Sequence, residues 1–146
     1  MKKCIIIMIS LVTLFCCWQH GYCSEQTPEQ LVRDFYKWFF ENDKEGKIAE
    51  NNDGILNFIS KDTIENVRKE KCSDIDYFRK VGSESYKWTS VHTAIGSAVL
   101  VARDIFIVPV DFVFKDGEEH ISVVVVLQKE NGKLLITKIM DQHPYL

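Results

Sequence analysis

Two dipeptides constrain this chain more than anything else in it: Asp116-Gly117 and Asn131-Gly132. Each supplies the positive backbone φ that a short hairpin loop needs, and each stands between runs rich in Val, Ile, Leu and Phe. They predict three consecutive antiparallel strands. The first covers residues 105–114. Side chains alternate along a strand, so Val108, Val110, Phe112 and Phe114 share one face. The second covers residues 120–128, and its run from Val123 to Leu127 has no polar break, which predicts cover on both faces. The third covers residues 133–140, with Leu135, Thr137 and Ile139 on one face and Leu134, Ile136 and Lys138 on the other. Pro109 has no N–H to give a neighbour, so the first strand is expected to be an edge or to bulge there.

The half before the strands reads as helical. Thr27-Pro28-Glu29-Gln30 is a helix start: Thr27 can cap, Pro28 suits the first helical position and Gln30 can complete a capping box. Leu31, Val32, Phe35, Trp38 and Phe39 then fall on one helical face, with Tyr36 and Phe40 to its side. Residues 42–53 are polar and read as a loop. Residues 55–59 are a short apolar turn or helix. Asp62-Thr63-Ile64-Glu65 is a second capping box, opening a helix to about Lys71 with Ile64 and Val67 inward. Residues 74–81 read as a third, short helix. An extended region starts at Trp88, and residues 94–102 form a small, apolar strand candidate with a bend or bulge at Gly96. The whole is an α+β chain with one domain, residues 24–146.

Residues 1–23 stand apart. Lys2 and Lys3 precede an apolar run over residues 5–15, broken only by Ser10 and Thr13. That is the length of a signal-peptide core and too short for a membrane span. Cleavage after Cys23 places the small residues Gly21 and Cys23 where signal peptidase reads. The alternative is a lipoprotein acylated at Cys17 or Cys23, against which stand the bulky Phe15 and Tyr22. Cleavage leaves 123 residues, moves the net charge from −3 to −5, and retains Cys72 as the single cysteine. No intramolecular disulfide and no cysteine metal pattern remain. The acidic balance argues against nucleic acid.

Residues 28–38, PEQLVRDFYKW, resemble the opening of a bacterial exported family, domain of unknown function 3828. So do Phe58-Ile59-Ser60 with Thr63, then Asp76-Tyr77-Phe78, then Val108-Pro109-Val110, Asn131-Gly132-Lys133 and Lys138-Ile139. Where that family has Trp after its Gly-Lys turn, Leu134 and Leu135 stand here. The resemblance covers most of residues 28–140, chiefly in packing and turn motifs. It implies membership of the nuclear-transport-factor-two-like superfamily: helices packed into the concave face of a curved antiparallel sheet, a cone with room for a cavity. That superfamily holds enzymes, ligand binders and interaction modules, so the resemblance does not choose an activity.

Catalytic candidates are few. His92, His120 and His143 are scattered, and no two stand at a ligand spacing, so neither metal nor cofactor is expected. Asp111 lies on the face opposite Val110 and Phe112. It is either a solvent-facing carboxylate or, inside a cone, a general acid or base for a small hydrolase or isomerase. Tyr36, Tyr77, Trp88 and His92 are candidates to line a cavity mouth with Asp111. Cys72 follows Lys69 and Lys71 but has no base partner in the pattern. The residues favour an exported, non-enzymatic module that binds a protein or small ligand. A periplasmic immunity protein against a toxin is a specific version, because acidic inhibitors meet basic enzymes by electrostatic steering. The acidic turn at Glu118 and Glu119 is the expected partner surface. An enzyme using Asp111 and an envelope lipoprotein are the alternatives.

The export reading makes a direct prediction. Protein recovered from a periplasmic extract should have an intact mass beginning at Ser24. A diacylglyceryl increment would mark the lipoprotein route, and full-length cytosolic protein would contradict both.

Overall fold

The computed structural model describes residues 26–42, 52–69, 75–82, 91–114 and 120–142. Residues 1–25, with the expected signal segment, lie outside them, as do Cys72, Trp88, Glu118 and Glu119. Helix α1 spans Pro28–Asn42, a 3-10 turn spans Asp53–Asn57 and helix α2 spans Lys61–Lys69. The two-residue strands β1 (Ile75–Asp76) and β2 (Val81–Gly82) form a small hairpin. Strands β3 (Val91–Ile95), β4 (Val99–Ala102), β5 (Ile105–Phe114), β6 (His120–Glu130) and β7 (Lys133–Asp141) form one antiparallel five-stranded sheet. The fold is α+β, helices against a curved sheet, as the sequence implies.

Helix α1 starts where its residues predict. The Gln30 N–H donates to Thr27 Oγ1 at 3.2 Å. Gln30 does not close a capping box; its amide donates to Asp34 one turn on, at 2.7 Å. The buried face is Leu31, Val32, Phe35, Tyr36 and Phe39. It is centred nearer Tyr36 than the sequence pattern placed it, and Trp38 lies half-buried at its margin against Phe58. This face packs on the inner side of the sheet, made by Val108, Val110 and Phe112 of β5 and Val123, Val125 and Leu127 of β6. The rings of Tyr36 and Phe112 meet edge to face with centroids 5.0 Å apart.

Four readings of the sequence need correcting. Helix α2 is capped by Ser60, two residues before Asp62: its hydroxyl accepts from the Thr63 N–H at 3.3 Å. Within the expected helix over residues 74–81, the described residues 75–81 are not helical. The Asp76 carboxylate accepts from the amides of Phe78 and Arg79 at 2.8 and 2.9 Å, drawing the chain into a tight turn instead. Lys80 then takes a positive φ of 57° and the hairpin closes, delivering Phe78 to the core. In β7 the side-chain alternation breaks. The register with β6 shifts between Val126 and Leu127, so Ile136 and Ile139 both face inward, three positions apart. The second face of β6, with Val124 and Val126, is half-buried rather than covered.

Pro109 is accommodated in neither expected way. β5 is a central strand, with β6 on one side and β3 and β4 end to end on the other. The Pro109 carbonyl accepts from the Gly96 N–H at 2.9 Å. N–H and C=O of one strand residue point to the same side, so the missing donor faces the break between β3 and β4. A Cβ on Gly96 would stand 2.6 Å from Pro109 Cγ, so only glycine fits this crossing.

Phe35 is fully buried, with rings of Tyr36, Phe39, Phe58 and Phe78 within 5.8 Å. Phe35→Ala is expected to cost about 3–5 kcal/mol of unfolding free energy, measured by urea denaturation at constant m-value.

Candidate functional site

The sequence candidates divide between the two faces of the sheet. Tyr36 lies inside, fully buried, its hydroxyl donating to the Phe78 carbonyl at 3.0 Å. Burial first, and the nearby Asp76 charge second, push its pKa well above the ordinary phenol range. Its role there is packing and one satisfied hydrogen bond. Tyr77, next to Phe78 in the chain, is half-buried, and its Oη accepts from the Ile139 N–H at 3.3 Å, tying the β1–β2 hairpin to β7. The space between α1 and the sheet, where the resemblance implies a cavity, holds Phe35, Tyr36, Phe39, Phe78 and Phe112.

Asp111 and His92 lie on the outer face. Asp111 is exposed, and its carboxylate accepts from the Ser122 hydroxyl directly across on β6. His92 is exposed on β3 opposite Val113, two register positions along from Asp111. These two share a face with each other but not with Tyr36. The same face carries Ile107, Pro109, Val124, Val126 and Met140, all half-buried. Among the described residues, no three His, Cys, Asp or Glu side chains come together as a metal site, and no helix is long and apolar enough to cross a membrane.

The edges of the sheet, which the strand pattern did not reveal, differ from each other. The β7 edge is covered. Ile136 accepts from the Ser60 N–H at 2.9 Å and donates to the Phe58 carbonyl at 2.8 Å, and Thr63 Oγ1 donates to the Thr137 carbonyl at 2.7 Å. The other edge is formed by β3 and β4, and in β4 the side chains of Val99, Leu100 and Val101 are 53%, 62% and 52% exposed. The start of β4 is pinned by Glu29 of α1, whose carboxylate accepts from the Ala98 N–H at 2.8 Å.

No family model and no curated protein sequence matches the chain. Among solved structures, it is similar to a chain of the type VI native effector-immunity complex Tae3-Tai3 from Ralstonia pickettii. The TM-score is 0.70 at 26% sequence identity, over 84% of this chain and all of that one.

The Glu29 tether carries a pH signature. Hydrogen bonds from the Ala98 amide, then from the amide of Glu29 itself, hold its carboxyl below the ordinary carboxylate range. A carboxyl lowered in the folded state stabilises above its unfolded pKa and loses that contribution as pH falls through the folded one. Glu29→Ala should therefore be less stable than the parent at neutral pH, and the gap should narrow on acidification. Urea midpoints of both proteins between pH 7 and pH 3 check this, with a gap independent of pH as the contrary result.

Proposed function

We propose that this chain is an exported immunity protein, which binds a toxin delivered into the envelope and so protects the cell that makes it. One observation carries the reading: the described fold is similar, over the full length of the neighbour, to a chain from an effector-immunity complex. Two sequence features support it. The basic start and apolar run of residues 1–23 fit export to the compartment where such a toxin acts. The acidic balance, −5 after cleavage, fits steering toward a basic partner.

The chemistry of the named side chains supports binding over turnover. A general base works in reach of a substrate and is usually oriented by a second polar group in a site that excludes water. Asp111 has a hydroxyl neighbour but stands exposed on an open sheet face. Tyr36 is enclosed, and its hydroxyl is already committed to the Phe78 carbonyl.

The test is protection. Where the gene adjoining this one encodes a secreted toxin, cells expressing the chain with its leader should survive periplasmic expression of that toxin, and residues 24–146 should bind it stoichiometrically in calorimetry. Asp111→Asn should protect as well as the parent. Loss of protection in that variant alone, at unchanged stability, would favour an enzyme. Absence of both binding and protection would overturn the immunity reading.

A further inference from the structure

Sheet edges expose unpaired N–H and C=O groups, and proteins blunt them with charge, proline, bulges or cover. Among the described residues, the segment around Ser60 covers β7, and no strand pairs with the outer side of β4. The four residues of β4 are Val, Leu, Val and Ala, and the first charge comes after them, at Arg103. Val99 lies beside Ile107 on the outer side and Leu100 beside Phe106 on the inner side, so the strand offers apolar surface on both faces. It is also held firmly. The Glu29 carboxylate fixes Ala98 before it, and after it the Asp104 carbonyl accepts from the Lys129 N–H at 2.9 Å. An exposed apolar strand clamped at both ends is presented in one geometry, and binding to it costs little ordering entropy.

We infer that β4 is where the toxin docks, by laying an extended segment of its own, with apolar side chains, along this edge. The inference rests on the immunity reading and names its contact. Main-chain hydrogen bonds then supply affinity, and Val99, Leu100 and Val101 supply selectivity. The occupant is a basic partner rather than a second copy, because two copies, each carrying a net negative charge, repel, whereas a basic protein is attracted. The proposed contact lies beside Ile105–Ile107 of β5, whereas Glu118 and Glu119 lie outside the described residues.

The experiment measures binding of residues 24–146 to the toxin used in the protection test by calorimetry in four forms: parent, Leu100→Asp, Leu56→Asp, and Glu118→Lys with Glu119→Lys. Leu56 is a comparably exposed leucine, 38%, on the 3-10 turn. Leu100→Asp should weaken binding about 30-fold or more, the scale of an interface hot spot. Leu56→Asp should stay within about threefold, and the charge reversals should act mainly at low salt. Thermal melting verifies each fold, and Val99→Lys replaces Leu100→Asp if that variant unfolds. Parent and Leu100→Asp binding alike would overturn the β4 assignment while leaving the immunity reading intact. No binding by the parent would remove both. A parent dimer that Leu100→Asp splits, seen by light scattering, would overturn the assignment in favour of self-pairing.

Discussion

The fold depends on the contact between the aromatic face of α1 and the inner side of β5 and β6. Phe35, Tyr36 and Phe39 project into the concave sheet; Tyr36 meets Phe112, and Phe78, inserted from the β1–β2 hairpin, meets Phe35 and Phe39. Each such side chain contributes about 1.5–3 kcal/mol on burial. None of the flanking pieces could form alone. The β1–β2 hairpin has two residues per strand, and α2 is a nine-residue helix, both below the size that is stable in water. They are held because Phe78, Ile64 and Val67 join the same core, and because polar groups tie them to the sheet at Ile136, Thr137 and Ile139.

A second constraint shapes the surface. Pro109 cannot serve a continuous neighbour on its β3–β4 side, and Gly96 crosses so close that a side chain would strike the proline ring. The neighbouring chain therefore bends there, pairing with one half of β5 as β3 and with the other half as β4. That break is what produces a short, separate edge strand. Its sequence is as apolar as a buried strand, yet the structure leaves it in solvent.

Much of this was legible in the sequence. Asn131-Gly132 does adopt positive φ at both residues, 51° and 81°, and the three-strand meander follows. Thr27-Pro28 does open the helix that carries the core aromatics. The failures have local causes. Asp76 captured two amides and turned an apparent helix into a hairpin, an effect of one side chain that periodicity does not register. One extra residue in β7 reversed the faces expected beyond it, because strand alternation has no tolerance for a bulge. The candidate site was the least legible part. Tyr36 and Asp111 look alike as polar residues in apolar runs, but the sheet places them on opposite faces. The exposure of β4 depends on which strand has a neighbour, and that is a property of topology rather than of any segment.

The proposed immunity role rests on similarity to a chain of an effector-immunity complex, and the proposed contact rests on the exposed β4 edge. Both ideas meet in one observable. Backbone amides engaged by an added strand exchange slowly, whereas amides on a free edge do not. The most direct measurement is hydrogen exchange by mass spectrometry on residues 24–146, alone and saturated with the toxin. The account predicts new protection over residues 99–102, larger than at any other surface segment, with core strand β6 unchanged. Protection confined to the β5–β6 turn, with residues 99–102 exchanging as fast in the complex as in the free protein, would contradict it.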